Sequence, residues 1–501
     1  MNRTKPISGE LLALKNTIEK YAIDYGLDFY PQIFEVCDYD TINILAAQGG
    51  FPNRYPHWKF GMDYDQLSKG YTYGLQKIYE MVINTNPCYA YLLQANNWVD
   101  QKIVMAHVYG HNDFFKNNAW FGNTNRNMMD VMANHGTKIR RYMDRYGADA
   151  VETFIDKVLS LENLLDINEL FETSALKRSR KELVDQEKVE SEDDGYLIDD
   201  RSAALKSFMR TKARTLKKEE KKEETEETIS AERTQVSTKD VLGYLIQYAP
   251  IEEWQADIIG ILREEAYYFL PQRMTKIMNE GWASYWHSTI MTQKALDASE
   301  IVDFADKHAG VMYMSKQNIN PYKVGIELMR DIEYRWNRGM FGKDYNECPS
   351  MKDKIEWDTK LGKGREKIFE VRKSHNDISF IDEFLTPDFC ERQQLFTYKY
   401  NPRSGRFEID SKDFNAIKQK LLSQLTNFGQ PIIEIEDGNY MNRKELLLNH
   451  IHYGVDLDVS FANETLRNLF AIWKRPVNLK TKYEDKEVIF HFDGKEFRPQ
   501  S

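Results

Sequence analysis

The chain has 501 residues and a formal net charge of −10, with 42% hydrophobic and 13% aromatic residues. This length and composition predict a folded protein of two or more domains, and the acidic balance excludes the basic surface that drives nucleic-acid binding. The four cysteines form no CxxC pair, no secretory signal opens the chain and no apolar run of about 18 residues occurs, so we predict a reduced, cytoplasmic protein without a membrane span.

Residues 1–172 carry apolar side chains mostly at helical spacing, which predicts a helical region. We expect amphipathic helices at 8–26, through 42–46, at 75–83, at 98–115 and at 148–165, with an aromatic loop at 51–61. Gly49 and Gly50 end the second of these helices, and a methionine-rich helix is expected to end at His135.

The helix at 98–115 carries the first candidate metal ligands. His107 and His111 are four residues apart, so they lie on one face of the helix. That face continues the apolar positions Val99 and Ile103, and both imidazoles are therefore expected to point inward. Two histidines in this arrangement can hold one Zn²⁺ ion.

Between residues 173 and 238 the apolar pattern gives way to runs of charge, such as 217–224. Such a segment has too little apolar surface to fold by itself, so we interpret it as a charged linker or an exposed helix. The helical pattern resumes over 239–390. This second helical region is expected to pack on 1–172 as one domain.

The second pair of candidate ligands lies in a helix predicted at 273–294, after a kink at Pro271. Glu280 and His287 are seven residues apart, which is two turns on one face. Ala283 and Ser284 between them are small enough for another helix to approach closely. The predicted ligands of Zn²⁺ or another divalent metal are therefore His107, His111, Glu280 and His287.

Two carboxylates just upstream, Glu264 and Glu265, are further candidates for the site. Either one can serve as a proton carrier, as a ligand or as the hydrogen-bond partner of a histidine. Adjacent glutamates on a helix more often form a solvated face, so both interpretations stay open here.

Residues 391–501 change in character and predict a small α+β domain. We expect a β-hairpin at 395–409, a helix at 414–425, a strand at 431–435, a helix through 445–448 and alternating strands after Trp473. The predicted fold class is therefore mainly α in the N-terminal and central regions, with a small C-terminal α+β domain.

The segment at 279–285, which reads Asn-Glu-Gly-Trp-Ala-Ser-Tyr, resembles the second metal motif of gluzincin aminopeptidases, whose glutamate is a zinc ligand. The resemblance implies a divergent gluzincin-like core and a metal-dependent hydrolase. In that class the first motif is His-Glu-x-x-His, with the glutamate as general base. Here Val108 follows His107, and Glu280 follows His111 by 280 − 111 = 169 positions, a far longer interval than in those peptidases.

Long and unusual strings at 51–61, 101–118, 263–287, 320–325 and 437–440 are similar to the stage V sporulation protein R (SpoVR) family. The resemblance extends over nearly the full length and implies a bacterial cytoplasmic protein. In spore formers it implies a role in spore cortex and coat formation. In other bacteria it implies a stationary-phase or stress role beside a PrkA-type serine kinase.

Two hypotheses follow for the function. The first is a metal-dependent hydrolase of peptide-like or peptidoglycan-precursor bonds, in which Glu264 or Glu265 replaces the missing general base. The second is a non-catalytic regulatory or scaffold protein, with a structural metal site or a buried network of histidine and glutamate. The hydrolase predicts an open coordination position beside an aromatic cleft, and the scaffold predicts four closed ligands or none.

Overall fold

The computed structural model describes residues 4–72, 80–169, 238–316 and 318–500. Contacts divide the chain into two compact units, of which the first comprises Met1–Asp156 with Ile261–Gln430 and the second Lys157–Gly260 with Pro431–Ser501. Apart from Thr238, the predicted charged segment at 173–238 lies outside the described residues.

The mainly α fold class is confirmed. Several helices begin at a capping side chain, as when Asn97 accepts a hydrogen bond from the backbone N–H of Asp100. The helices are α1 (Gly9–Asp24), α2 (Tyr39–Ala47), α3 (Trp58–Thr72), α4 (Trp98–Asn117), α5 (Met128–Tyr146), α6 (Ala148–Leu159), α7 (Val241–Tyr248), α8 (Glu253–Met274), α9 (Lys276–Ile290), α10 (Ile301–Val311), α11 (Pro321–Arg338), α12 (Gly342–Asn346), α13 (Met351–Glu356), α14 (Gly364–Ser374), α15 (Asp377–Phe384), α16 (Pro387–Gln393), α17 (Phe414–Leu425) and α18 (Val459–Trp473).

The first unit also contains a four-stranded sheet that the sequence pattern did not predict. Its order is β1-β2-β4-β3, with β2 parallel to β4 and the other pairs antiparallel. The helix predicted at 75–83 is wrong at residues 80–83, which form β3 and pair with β4. Residues 75–79 of that prediction lie outside the described residues. These strands are short, and β4 is buried along most of its length, so they show no apolar–polar alternation. The strands are β1 (Thr4–Pro6), β2 (Gln32–Cys37), β3 (Glu80–Ile83) and β4 (Cys88–Leu93).

Two predicted helix boundaries are also corrected. Helix α5 does not end at His135 but continues to Tyr146, because Gly136 serves a close contact instead of a helix end. A Cβ atom at Gly136 would lie 3.1 Å from the backbone carbonyl of Arg54. Pro271 lies within α8, and the break between α8 and α9 falls at Thr275, whose hydroxyl donates to the carbonyl of Pro271 at 2.7 Å.

Helices α4, α9 and α11 approach one another closely, and glycines make this possible. A Cβ atom at Gly110 of α4 would lie 2.7 Å from the Cα of Ala283 on α9. A Cβ atom at Gly281, on α9, would overlap the backbone of Gly325 on α11. The backbones are therefore close enough for side chains on α4 and α9 to meet inside the core.

The first unit ends with a β-hairpin and α17, both at the predicted places. The hairpin pairs β5 (Thr397–Asn401) with β6 (Arg406–Ser411) in antiparallel register. Both elements group by their contacts with the helices of the first unit.

The second unit holds a five-stranded sheet in the order β11-β10-β9-β8-β7. Helix α18 connects the parallel pair β8 and β9, as a parallel connection requires. The helix predicted through 445–448 is wrong, because these residues begin β8; its three leucines are all buried and give no alternation. The strands are β7 (Ile432–Tyr440), β8 (Glu445–Ile451), β9 (Val477–Tyr483), β10 (Lys486–Phe492) and β11 (Phe497–Gln500).

Candidate metal centre

Three of the four predicted ligands come together between α4 and α9. The Nε2 atoms of His107 and His111 each lie 3.4 Å from Oε2 of Glu280. One ligand atom from each residue lies within 4.8 Å of the others, and all three side chains are buried. Within the described ranges this is the one group of three or more His, Cys, Asp or Glu residues arranged to hold a metal ion.

The two oxygens of Glu280 have different surroundings. Oε1 accepts a hydrogen bond of 2.6 Å from Nζ of Lys276. Oε2 is buried and accepts no hydrogen bond, although two imidazole nitrogens face it. A buried oxygen without a donor is costly, and a cation shared with the two imidazoles removes that cost. Imidazole and carboxylate are ligands that Zn²⁺ and related ions accept, so the residues present fit a divalent transition metal.

A neighbour on α9 orients the second histidine. Nδ1 of His111 lies 2.8 Å from Oδ1 of Asn279, an acceptor-only atom, so Nδ1 carries the proton and donates it. The Nε2 lone pair of His111 then faces Glu280. A hydrogen bond of this kind fixes the tautomer that a metal-binding histidine needs.

His287 lies beside this group and not within it. Its Nδ1 is 3.0 Å from Nδ1 of His107, and its Nε2 is 3.2 Å from Nδ1 of His308. Both ring nitrogens of His287 are therefore engaged by other imidazoles. The three rings form a chain of hydrogen bonds that leads away from Glu280.

The electrostatics favour the protonation states that a metal requires at His107 and Glu280 but not at His111. Burial alone would lower the pKa of His111, but Glu280 and Asn279 raise it above its ordinary value, so a metal would displace a proton from this ring. Burial and the neighbouring His111 lower the pKa of His107 to about 4, so its imidazole is neutral at pH 7. Burial alone would raise the pKa of Glu280, but the adjacent histidines and Lys276 hold it well below its ordinary value. An ionised carboxylate beside a neutral imidazole is the form in which these groups bind metals.

A cavity of about 560 Å³ opens beside His107. Among the lining residues that the sequence did not indicate as part of a site are Glu80, His308 and Tyr322. Tyr322 lies in the first turn of α11, inside the string at 320–325, so the family resemblance contained a signal for it. Glu80 and His308 belong to no motif, and only the fold brings them to the cavity. The cavity is lined by Glu80, Asp100, Ile103, Val104, His107, His287, Lys307, His308, Val311, Asn320, Pro321 and Tyr322.

The predicted proton carriers Glu264 and Glu265 have other partners. Oε1 of Glu265 accepts a hydrogen bond of 3.1 Å from Nδ1 of His135, and Oε2 accepts one of 2.6 Å from Nη2 of Arg54. Oε2 of Glu264 lies 3.3 Å from Nε2 of His135. Neither carboxylate is among the residues that line the cavity.

The imidazole between these two glutamates is positively charged at neutral pH. Burial alone would lower the pKa of His135, but hydrogen bonds to Glu264 and Glu265 raise it to about 9. The cluster of Arg54, His135, Glu264 and Glu265 thus pairs two cations with two carboxylates. It ties the segment before α3 to α5 and α8.

Comparisons with known proteins cover nearly the whole chain. A family described as "SpoVR like protein" matches residues 8–430, and one described as "SpoVR-like C-terminal domain" matches residues 431–484. The chain is 30% identical over 496 residues to "Uncharacterized protein YcgB" of Escherichia coli (strain K12), which covers 94% of this chain and 91% of that protein. No solved structure matches. None of the described helices has the length and hydropathy that crossing a bilayer requires.

Proposed function

The chain belongs to the SpoVR-like family, and from this premise we propose that it is a metal-dependent amide hydrolase in which His107, His111 and Glu280 hold Zn²⁺ or another divalent metal. The observation that carries the proposal is the buried Oε2 of Glu280, which faces two imidazole nitrogens and accepts no hydrogen bond. The resemblance of 279–285 to a gluzincin metal motif supports the same reading.

When bound, such an ion lowers the pKa of a coordinated water and polarises a carbonyl group. Other residues of the chain orient the side chains that would hold the ion. Asn279 keeps the Nε2 lone pair of His111 free, and Lys276 holds Oε1 of Glu280. Burial and the nearby Glu280 raise the pKa of Tyr322, so its hydroxyl stays protonated beside this carboxylate.

The shape of the cavity supports a substrate with an apolar group beside the scissile bond. Ile103, Val104, Val311 and Pro321 share its wall with the ionisable residues. A peptide or a peptidoglycan precursor has amide bonds next to such groups. We propose these as the substrate class, within a role in sporulation or in stationary-phase stress; the link to a PrkA-type serine kinase rests on the family resemblance.

Elemental analysis of the full chain, purified without a histidine tag, tests the metal site. We expect stoichiometric divalent metal in the wild type and loss of at least about tenfold in His107→Ala, His111→Ala and Glu280→Gln. Glu265→Gln is the matched control, because it removes a buried carboxylate that also contacts a histidine, and it should leave the metal content unchanged. Circular dichroism verifies that each variant folds.

Metal that persists in all three variants, or a wild type that holds none, would contradict the proposal. Hydrolysis is then assayed on aminoacyl anilides and on peptidoglycan-derived peptides. Activity that requires the bound metal supports the hydrolase.

A non-catalytic protein with a structural metal site is the second candidate. The observation in its favour is Val108, a fully buried side chain that cannot take a proton at the position where gluzincins have their general base. The two functions separate in one experiment. A structural metal predicts that the ion is bound and that its removal lowers the thermal stability, while none of the amides is hydrolysed.

A further inference from the structure

The geometry points to Glu80 as the proton carrier of this site, the carboxylate that takes a proton from the attacking water and delivers it to the leaving amine. This inference rests on the proposed function, and it names the base that the motif lacks. It assigns the role to a residue on strand β3 that lines the same cavity as the proposed ligand His107.

The ionisable groups of the cavity are mostly engaged by one another. Asp100 accepts a hydrogen bond from Lys307. His287 uses both ring nitrogens, one toward His107 and one toward His308. These contacts leave few groups that are free to exchange a proton with a substrate.

Glu80 differs from the other carboxylates near the site. It lines the cavity and is half-buried, and no described residue forms a hydrogen bond or an ion pair with its carboxylate. Glu280 is held by Lys276, while Glu265 is held by Arg54 and His135. Glu80 is therefore the carboxylate whose lone pairs are available inside the cavity.

The backbone fixes where Glu80 stands. It is the first residue of β3, where it pairs with Leu92 of β4 in antiparallel register. Leu92 is fully buried, so this end of the strand is anchored in the core. A residue in a strand pair holds its direction better than a residue in a loop, which a positioned base requires.

The charge environment agrees with this role. Burial raises the pKa of Glu80 to about 7, with His111 lowering it and Glu280 raising it further. The charges of two proposed ligands, His111 and Glu280, thus affect the pKa of Glu80. A general base works best when its pKa lies near the working pH.

The proton transfer balances without any other reactant. The water oxygen bonds to the carbonyl carbon while one water proton passes to the ionised Glu80, and the C=O π electrons move onto the carbonyl oxygen. When the C–N bond breaks, that electron pair re-forms the C=O bond, and the proton passes from Glu80 to the amine nitrogen. The products are a carboxylic acid and an amine, and Glu80 is ionised again.

Replacement of Glu80 in the full chain tests this assignment. Glu80→Gln should keep stoichiometric metal by elemental analysis, whereas kcat on the anilide substrates should fall by about 100-fold or more with little change in KM. Glu80→Asp should recover part of the loss. In the metal-loaded wild type kcat should rise with pH as Glu80 ionises, and this limb should be absent in Glu80→Gln.

Glu35→Gln is the matched control, because Glu35 is a half-buried glutamate of the same sheet, on β2, that does not line the cavity. It should change kcat by less than about threefold, as expected for a residue outside the proton transfer. Full activity in Glu80→Gln, or an equal loss in Glu35→Gln, would overturn the assignment.

A second measurement does not depend on finding the substrate. In the Co²⁺-loaded chain the visible spectrum changes as the bound water ionises, and Glu80→Gln should shift the midpoint of this change by about one pH unit, because an acceptor for the water proton is lost. An unshifted midpoint would overturn the role of Glu80. A wild type that binds no Co²⁺ would instead overturn the proposed metal site, so the two failures are distinguishable.

Discussion

The first unit contains two buried clusters made of the same kinds of side chain, and they differ in one component. In the first, His107 and His111 face Glu280, and one oxygen of Glu280 lacks a donor. In the second, His135 lies between Glu264 and Glu265. Here Arg54 supplies a buried guanidinium that completes the hydrogen bonds of Glu265.

The difference shows how a structural cluster is distinguished from a ligand site. In the second cluster a buried guanidinium, that of Arg54, pairs with the carboxylate. In the first, the ammonium group that reaches Glu280 belongs to the exposed Lys276, and Oε2 of Glu280 is left without a donor. Residue types alone do not separate the two clusters, whereas the presence of a buried internal cation does.

The largest effect is expected from removing that internal cation. Arg54→Met leaves Glu265 buried without its strongest donor and should lower the free energy of unfolding by about 3 kcal/mol. Lys276→Met is the counterpart at the first cluster; its side chain is 56% exposed, so its ion pair should contribute less than about 1 kcal/mol. Urea unfolding of metal-free protein, followed by tryptophan fluorescence, measures both. An equal loss of unfolding free energy in Arg54→Met and Lys276→Met would contradict the distinction between the two clusters.

An added metal ion should stabilise the folded chain by binding at the cluster of His107, His111 and Glu280, and not at the cluster of His135. At a free Zn²⁺ concentration of about 100 times Kd, the wild type should gain about 2.7 kcal/mol in stability, and Glu280→Gln should gain almost nothing. His135→Gln should gain as much as the wild type. Thermal unfolding with and without Zn²⁺ tests this, and stabilisation that follows His135 instead of Glu280 would reverse the assignment.

The smallest effect is expected in the pH dependence of the second cluster. The pKa of His135 is raised from 6.5 to about 9, so its contribution to stability is complete below pH 6.5 and is lost as the pH rises through about 9. The Glu264 side chain is 50% exposed, and solvent screening reduces the contribution to about 2 kcal/mol.

Unfolding of the wild type and His135→Gln at pH 6 and pH 10 measures this contribution. The stability difference between them should be present at the lower pH and nearly absent at the higher one. A difference that does not change with pH would mean that packing, and not charge, is what His135 provides.

The sequence predicted the parts of the site whose signals are local. The spacing of His107 and His111 lies within one helix, and Glu280 lies in a distinctive string, so both pieces were recognised before their contact was known. The structure places the three side chains side by side. The mainly α fold class follows in the same way from helical periodicity.

The parts of the site that could not be predicted depend on contacts between residues far apart in the sequence. Glu265 finds His135 across 130 positions and Arg54 across 211, and no local pattern announces either partner. The sequence pattern did not indicate Glu80 for another reason. Its strand is short and follows a segment with helical spacing. Long-range pairing decides which of several similar carboxylates meets which histidine.

The contact between Gly281 and Gly325 fixes the distance between the helix that carries Glu280 and α11. Backbone touches backbone there, and on its other side the same helix meets Gly110 of α4 through Ala283. Neither gap can close, and widening either one separates packed core. The distances between the side chains of His107, His111 and Glu280 should therefore vary little, which suits ions bound at about 2.0–2.2 Å by nitrogen and oxygen. Ca²⁺ prefers six to eight oxygens at about 2.3–2.6 Å, so we expect the close contact of the helices to disfavour it.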